Sequence, residues 1–435
     1  MTKRALSVAA AASATAMFLA ACGGGQPSST GTSADAGAAT PAETPAAVST
    51  ESPERDGAAD LVIWSDGDRA PALAEYGKKF GEENGVKVAV QVATETRQQF
   101  KDATKVGKGP DVVVGAHDWV GELVQNGTVA PVQLDAATSA KFLPDAAKAA
   151  QFDGQNYGVP YAVENLGLIR NTDLAPEAPK TLDELVATGN QLVKDGKTKQ
   201  VLVQNIGKKG NAYFTFPYFS AFGGNIFAAK ANGDFDATKL VVNSPENVKA
   251  GELIAKLGKD KVLSTNMDDT NMDAIFDAGD APYLISGPWS IAPAKKAGIN
   301  YAISPMPSVA GGQAMKPFLG VQMFYVSAKA KNAAMAQEFV TNYVPRKDLQ
   351  MALFEAGQRP PALKEAYDEV AASNPDMKAW FEAGQGGPLM PNIPAMNAVW
   401  EPFGIATADI ISGKAAPKAR LDAAQKEIEA NIAKG

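Results

Sequence analysis

The chain has 435 residues, and 48 acidic against 41 basic side chains give it a formal net charge of −7. This length predicts two or three domains, and a net-acidic chain is a poor binder of nucleic acid. With one cysteine, Cys22, and one histidine, His117, an intrachain disulfide is excluded and a zinc site lacks ligands. Any serine or cysteine nucleophile would depend on His117. We expect no cofactor and no metal.

Residues 1–21 have the pattern of a bacterial secretion signal. Lys3 and Arg4 precede the apolar run Ala5–Phe18, which is too short to remain as a membrane-spanning helix. The run ends in Leu19-Ala20-Ala21-Cys22-Gly23, which resembles the lipobox of bacterial lipoproteins. The resemblance implies cleavage before Cys22, lipidation of that residue and stable attachment to a membrane. An ordinary signal peptide with an incidental cysteine is the alternative.

Residues 22–58 form a low-complexity segment rich in Gly, Ser, Thr, Ala and Pro. Such a segment has too few apolar side chains to offset the entropy lost on ordering. We predict a disordered tether that joins the lipidated Cys22 to a globular head beginning near Leu61.

The head begins with alternating strand and helix patterns. Leu61–Trp64 predicts a buried strand, Ala70–Glu83 a helix, Val86–Val90 a strand, Thr96–Val106 a helix and Asp111–Val114 a strand. This order predicts a parallel α/β sheet with right-handed crossovers.

A second α/β pattern follows Glu164 and ends in a mostly helical region after a strand at 320–326. The predicted helices of this part are 182–194, 213–222, one capped by Ser244-Pro245 that reaches Leu257, and 272–278. The predicted strands are 201–204 and 282–285. The pattern predicts two α/β lobes. Ligands bind outside the carboxyl ends of strands in open α/β sheets, so we expect a cleft where these edges face each other.

Carboxylates and aromatic rings follow three predicted strands at their carboxyl ends. The segments are Asp66-Gly67-Asp68-Arg69, Ala116-His117-Asp118-Trp119 and Gly287-Pro288-Trp289. Carboxylates accept hydrogen bonds from sugar hydroxyls, and aromatic faces pack on the C–H surface of a sugar. The combination therefore suits a hydroxyl-rich ligand.

Other roles for these residues stay open from the sequence. Asp66 and Asp68 also fit turn or helix-capping positions, and Trp119 and Trp289 also fit a core. His117 is expected to be a structural residue, hydrogen-bonded within its loop.

Read together, the segments resemble the maltose/maltodextrin-binding proteins, which are solute-binding components of ABC sugar importers in extracellular solute-binding protein family 1. The resemblance runs from Leu61 almost to Gly435 and rests on the order and spacing of short motifs. The motifs are Leu61-Val62-Ile63-Trp64, Gly67-Asp68, Gly77-Lys78-Lys79-Phe80, Gly109-Pro110-Asp111, Ala116-His117-Asp118, Ala162-Val163-Glu164, Tyr213-Phe214-Thr215, Gly287-Pro288-Trp289, Lys316-Pro317-Phe318 and Met390-Pro391-Asn392-Ile393-Pro394.

The resemblance implies an α/β, two-lobed periplasmic-binding-protein (clamshell) fold with a hinge and a ligand cleft. The implied N-terminal lobe comprises residues 59–163 and 319–371, and the C-terminal lobe comprises residues 164–318 and 372–435. Positions that match the family motifs imply four kinds of ligand contact: polar contacts, carboxylates that bind hydroxyls, aromatic platforms and contacts in the outer cleft. The implied ligand-binding residues are Asp66, Asp68, Arg69, Asp118, Glu164, Tyr213, Phe214, Trp289, Met390 and Trp400.

The chain also departs from the family pattern. Gly115 stands where the family commonly has a stacking tryptophan, and Trp119 stands where it commonly has an arginine. We therefore add Trp119 to the expected ligand contacts, as a ring that enters the cleft from a different angle. Asn211 replaces a carboxylate, so chain-length preference and the identity of the glucoside stay open.

The resemblance implies a monomeric, lipid-anchored receptor on the extracytoplasmic face of a bacterial cell membrane. It would bind maltose or maltodextrins and deliver them to transmembrane permease subunits driven by an ATPase, without being an enzyme. The alternatives are another ligand, such as trehalose, a cyclodextrin or a different oligosaccharide, and more remotely a glycosidase or an adhesive lipoprotein.

Overall fold

The computed structural model describes residues 52–230 and 235–434. The predicted signal peptide, Cys22 and the predicted tether up to residue 51 lie outside these residues. Within the two described ranges, no helix combines the length and the apolar character needed to cross a membrane.

The chain up to Glu164 alternates strands and helices, as its sequence predicts. The strands are β1 (Leu61–Ser65), β2 (Val88–Val92), β3 (Val112–Ala116), β4 (Val129–Ala130), β5 (Gln151–Phe152), β6 (Gln155–Asn156) and β7 (Gly158–Glu164). The helices are α1 (Ala70–Asn84), α2 (Thr96–Lys105), α3 (Val120–Gln125), α4 (Ala136–Ser139) and α5 (Pro144–Ala149).

The next part of the chain forms a second set of strands and helices. The strands are β8 (Gly167–Asn171), β9 (Val203–Gln204), β10 (Phe227–Ala229), β11 (Phe235–Leu240), β12 (Tyr283–Ser286) and β13 (Tyr301–Ser304). The helices are α6 (Leu182–Lys194), α7 (Ala212–Ser220), α8 (Pro245–Lys259), α9 (Met272–Asp277) and α10 (Ile291–Lys296).

The last part begins with strand β14 (Gly320–Ser327) and is then helical, as predicted. Its helices are α11 (Ala333–Glu338), which continues as a π-helix (Phe339–Tyr343), α12 (Lys347–Gly357), α13 (Lys364–Ser373), α14 (Pro375–Gly384), α15 (Trp400–Ile411) and α16 (Pro417–Ile432). Short 3₁₀ helices cover His117–Trp119, Pro288–Ser290 and Pro394–Ala398.

Local sequence signals set several helix ends. Ser244 caps α8 by accepting a hydrogen bond from the Asn247 N–H, as predicted. Thr181 and Glu184 form a capping box at the start of α6. Strand β2 begins two residues later than predicted, because β1 pairs Leu61 with Val88.

The first sheet has the strand order β2-β1-β3-β14-β4, with β7 also paired to β14. Strands β1, β2 and β3 are parallel, as predicted. Strand β14 runs antiparallel to β3, β4 and β7, so the complete sheet is mixed. The chain reaches β14 from the second part of the chain without a crossover helix, so β14 runs opposite to β1, β2 and β3.

The second sheet has the order β13-β8-β12-β9, in which only β12 and β9 are parallel among the described strands. The chain passes from the first sheet to the second between Glu164 and Gly167 and returns between Ser304 and Gly320. A third passage lies at Asn374, because α13 packs on α12 whereas α14 packs on β13 and β8. The first lobe is the part around the first sheet, and the second lobe is the part around the second.

Strand β1 is apolar throughout because both faces of its sheet are covered. Leu61 and Ile63 point into one core cluster, and Val62 and Trp64 point into another on the opposite face. All four side chains are buried, which confirms that Trp64 is a core residue. This is the pattern expected of a central strand between helical layers.

The last residues of the predicted tether pack against the first lobe. The Arg55 side chain is buried, with its Nη2 2.7 Å from Asp111 Oδ2 and its Nη1 donating to the Gly109 carbonyl. The fully buried Asp111 carboxylate also accepts hydrogen bonds from the N–H groups of Val62 and Lys331. The ordered body therefore includes Arg55, which lies before the predicted start near Leu61.

Replacing Arg55 by alanine is expected to destabilise the protein by about 3 kcal/mol, because it leaves the buried Asp111 charge without its partner. Denaturant-induced unfolding measures this. Lys78→Ala is the matched control, since Lys78 forms an exposed ion pair with Glu82, and its loss should cost less than about 1 kcal/mol. Equal effects of the two substitutions would contradict the buried-pair assignment.

Candidate functional site

A cleft of about 540 Å³ lies between the two lobes. Its first-lobe wall is formed by Asp68, Arg97, Ala116, Asp118, Trp119, Glu164 and Arg359. Its second-lobe wall is formed by Tyr213, Phe214, Trp289, Met390 and Trp400. Carboxylates and guanidinium groups thus come from one lobe, and most of the rings come from the other.

Most of the residues expected from the sequence line this cleft. The exceptions are Asp66 and Arg69, which line an adjoining chamber of about 460 Å³. Sequence reasoning missed Arg97 and Arg359, which line the cleft from helix α2 and from the loop after α12. Neither residue belongs to a motif at a strand end, so no local signal marked them.

The Asp118 carboxylate joins the two lobes. It is buried in the 3₁₀ helix that follows β3, and its Oδ2 accepts a hydrogen bond of 3.0 Å from the indole Nε1 of Trp400 in the second lobe. Arg97 Nη1 lies 3.7 Å from the same oxygen. Asp118 Oδ2 therefore has a partner in each lobe, and Oδ1 takes part in neither of these two contacts.

Glu164 is the last residue of β7, where the chain leaves the first lobe. Its Oε2 accepts a hydrogen bond of 2.7 Å from Arg359 Nε, and its Oε1 accepts one of 2.8 Å from the Gln322 amide. Desolvation lowers the pKa of Arg359, but the charge and hydrogen bond of Glu164 together with the neighbouring Tyr161 outweigh it, and the pKa is raised. The guanidinium therefore stays charged and fixes Glu164 at the cleft.

A polar network continues from Glu164 to the adjoining chamber. The Gln322 amide oxygen accepts a hydrogen bond of 3.2 Å from Arg69, and Arg69 pairs with Asp66. Burial alone would raise the pKa of Asp66, but the hydrogen bonds and charge of Arg69 outweigh it and the pKa is lowered. The network orients these groups before a ligand arrives.

The second-lobe rings pack on one another around Trp289. The Phe214 and Trp289 rings meet edge to face at 6.4 Å, and the Arg359 guanidinium lies 5.3 Å from the Trp289 ring centroid. The Tyr213 hydroxyl is buried and has no hydrogen-bond partner among the described residues. Burial raises the pKa of Tyr213 well above its usual value, so this hydroxyl is neutral.

The Trp119 ring occupies the space above Gly115. A Cβ atom on residue 115 would collide with the Trp119 ring, so glycine is required there. On the sheet side, Trp119 stacks parallel to Tyr325 at a centroid distance of 6.5 Å. The missing side chain at 115 and the ring at 119 are therefore one structural feature.

His117 joins three segments of the chain. Its Nδ1 accepts a hydrogen bond of 3.1 Å from the Val321 N–H, so Nε2 carries the proton and donates to the Met390 carbonyl at 3.1 Å. Desolvation lowers the pKa of this buried ring. The contacts confirm the structural role expected for His117, but its partners are not in its own loop as predicted: they lie at Val321 and Met390, which are distant in the chain.

The free energy of unfolding is expected to fall as the pH drops below about 6.5, because His117 binds a proton in the unfolded state whereas the buried ring in the folded state stays neutral. The contribution is at most about 1.4 kcal/mol per pH unit. His117→Asn keeps an acceptor for Val321 and should be less stable at pH 7 but lose less between pH 7 and pH 5. Denaturant unfolding at both pH values measures the difference, and equal losses in the two proteins would contradict the prediction. His117 is the only histidine, so no other imidazole contributes.

The arrangement combines groups that only accept hydrogen bonds, groups that only donate and flat apolar faces. Asp68, Asp118 and Glu164 accept, whereas Arg97 and Arg359 donate. A hydroxyl does both, so a neutral ligand with many hydroxyl groups satisfies both sets. The rings offer surfaces for its C–H groups.

Comparisons with known proteins agree with this architecture. Residues 75–393 match the family described as bacterial extracellular solute-binding protein. The galactooligosaccharide-binding protein of Bacillus subtilis (strain 168) is 28% identical over 382 residues, covering 86% of this chain and 89% of the relative.

Two further relatives also align over more than two thirds of both chains. The maltotriose-binding protein of Pyrococcus abyssi (strain GE5 / Orsay) is 29% identical over 322 residues, covering 72% of this chain and 68% of the relative. The maltooligosaccharide ABC transporter solute-binding lipoprotein of Streptococcus pneumoniae (strain ATCC BAA-255 / R6) is 27% identical over 369 residues, covering 82% of this chain and 84% of the relative. Because the family match spans most of the sequence, the chain belongs to the bacterial extracellular solute-binding proteins.

Proposed function

We propose that this protein is the solute-binding component of an ABC sugar importer, which binds maltose or maltodextrins between its lobes and delivers them to the permease. The observation that carries the proposal is the cleft in which first-lobe carboxylates face second-lobe rings. The named ligands of the Pyrococcus and Streptococcus relatives support it. The protein acts as a receptor and breaks no bond in the sugar.

The ligand-binding roles follow from chemistry and position. Asp68, Asp118 and Glu164 accept hydrogen bonds from sugar hydroxyls. Tyr213, Trp289 and Trp400 form the aromatic platforms, and Phe214 and Met390 make outer contacts. Asp66 and Arg69 act from the adjoining chamber, and Trp119 lies between it and the cleft.

Ligand binding is coupled to closure of the two lobes. A sugar that contacts Asp118 in one lobe and Trp400 in the other stabilises the closed form more than the open form, and only such a difference shifts the equilibrium. We assign residues 59–163 and 319–371 to the N-terminal lobe and residues 164–318 and 372–435 to the C-terminal lobe, except that Glu164, the last residue of β7 in the first sheet, stays with the N-terminal lobe. The closed form then docks, as a monomer, on the transmembrane permease subunits that the ATPase drives.

The protein is anchored by lipid on Cys22 at the extracytoplasmic face of the cell membrane. The preceding 21 residues are removed, and the low-complexity segment acts as a tether. Tethering raises the effective concentration of the receptor at its permease. The lipoprotein named among the relatives supports the anchor.

A galacto-oligosaccharide is the second candidate ligand. It is favoured by the Bacillus relative, which aligns with 86% of this chain. The same carboxylates and rings serve either sugar, because both present hydroxyls and C–H faces.

Isothermal titration of the mature protein tests the proposal with maltose, maltotriose, longer maltodextrins, trehalose, cyclodextrins, lactose and β-1,4-galactobiose. We expect binding of the linear maltodextrins and recovery of intact maltotriose. Binding of only the β-galactosides, trehalose or a cyclodextrin would keep the transport role and change the substrate. Absence of binding to every sugar, or hydrolysis of maltotriose, would contradict the proposal.

Replacing Trp119 by alanine is expected to weaken sugar binding about tenfold, because it removes an aromatic face from the cleft. Titration with the tightest-binding sugar of the panel measures the change. Phe381→Ala is the matched control, since Phe381 is 59% exposed and does not line the cleft. Unchanged affinity in Trp119→Ala would remove Trp119 from the ligand contacts.

A further inference from the structure

A network of four charged side chains lies in and behind the first-lobe wall of the cleft. Arg97 and Lys101 are four residues apart on α2. Asp118 lies in the 3₁₀ helix that follows β3, and Glu122 lies in the first turn of α3. Arg97 and Asp118 line the cleft, whereas Lys101 and Glu122 do not. Part of the network is therefore out of reach of a ligand in the cleft.

Glu122 is the centre of this network. Its Oε2 accepts a hydrogen bond of 2.8 Å from Arg97 Nε, and its Oε1 accepts one from Lys101 Nζ. The residue is 7% exposed, and a carboxylate buried to this extent depends on its partners. Because Glu122 uses only the Nε of Arg97, both terminal nitrogens of the guanidinium remain for other contacts.

The Arg97 guanidinium contacts two residues of the cleft. Its Nη1 lies 3.7 Å from Asp118 Oδ2, and its Cζ lies 5.9 Å from the centroid of the Trp119 ring. Its Nη2 is buried and has no hydrogen-bond partner among the described residues. A shift of this guanidinium would therefore change the surroundings of both the Asp118 carboxylate and the Trp119 ring.

The distance between Arg97 and Asp118 is too long for a hydrogen bond. Nitrogen and oxygen atoms hydrogen-bond at about 2.7–3.2 Å, so the separation of 3.7 Å gives attraction between the charges without occupying an oxygen. A fully formed arginine–carboxylate pair engages both oxygens, which would leave Asp118 no free oxygen for a ligand hydroxyl. Glu122 binds the same guanidinium from the other side and holds it short of that pairing.

We propose that Glu122 is a positioning residue for sugar binding, which holds Arg97 beside the Trp119 ring and prevents it from closing on Asp118. This inference rests on the proposed function and assigns a share of the affinity to a residue outside the cleft. Asp118 thereby keeps an oxygen that accepts a hydrogen bond from the sugar, and Arg97 Nη2 stays available as a donor.

Glu122→Gln keeps the size of the side chain and removes its charge. Arg97 then retains Asp118 as its carboxylate partner, and its movement toward Asp118 should weaken binding of the tightest-binding sugar of the panel about tenfold. Isothermal titration of the mature protein measures the affinity, and thermal unfolding of the sugar-free variant shows whether it is folded. Glu122→Asp keeps the charge but withdraws the carboxylate by one methylene group. It should weaken binding by a smaller factor, and it provides the test if Glu122→Gln does not fold.

Lys101→Met is the matched control. It breaks the other ion pair of Glu122 and leaves the hydrogen bond from Arg97 Nε in place. Both Lys101→Met and Glu122→Gln should lower the thermal stability, because both disrupt the same buried ion pair. The affinity of Lys101→Met should nevertheless stay within about twofold of the wild type, so a loss of stability by itself does not produce the loss of affinity.

A double-mutant cycle separates positioning from a general structural effect. A residue that acts through Arg97 loses its influence once Arg97 is replaced. Arg97→Met should itself weaken sugar binding, and adding Glu122→Gln to Arg97→Met should change the affinity by less than about twofold.

An unchanged affinity in Glu122→Gln overturns the positioning role and leaves the proposed function standing. The same holds if Lys101→Met weakens binding as much as Glu122→Gln, or if Glu122→Gln has its full effect in the Arg97→Met background. Failure of the wild type to bind any sugar of the panel contradicts the proposed function itself, and the positioning role falls with it.

Discussion

Strand β14 is the constraint on which the rest of the cleft depends. It returns from the second lobe into the centre of the first sheet and pairs with β3, β4 and β7. From there Val321 fixes His117, Gln322 fixes Glu164, and Tyr325 donates to the Ala116 carbonyl while backing the Trp119 ring. One strand thus positions the residues at the carboxyl ends of β3 and β7 and also joins the two lobes. Strand β14 therefore both connects the lobes and positions the first-lobe residues of the cleft.

Each lobe contributes a tryptophan that folds back over a glycine. Trp119 covers Gly115 at the end of β3, and Trp289 covers Gly287 at the end of β12, where a Cβ atom would collide with the ring in both cases. The glycine leaves room for the ring to lie against the backbone, where packing fixes its orientation. Fixed rings lose little entropy when a ligand stacks on them, so the cleft is prepared for binding.

The charged groups of the cleft are also prepared. Glu164 is held by Arg359 and Gln322, and Asp118 is held by Trp400 from the opposite lobe. These partners keep the carboxylates oriented and reduce the cost of burying them. An incoming hydroxyl therefore meets acceptors that are already in place.

The first strands and helices, the Ser244 cap, the two-lobed α/β class and the strand-end residues of the cleft follow from the amino-acid sequence, because they depend on periodicity and on residues close together in the chain. The antiparallel entry of β14, the burial of Arg55 against Asp111, and the presence of Arg97 and Arg359 in the site follow only from the three-dimensional fold. Arg359 and Glu164 are 195 residues apart, and Arg55 and Asp111 are 56 apart. Such contacts leave no local pattern, because they exist only once the chain has closed the sheets that bring the partners together.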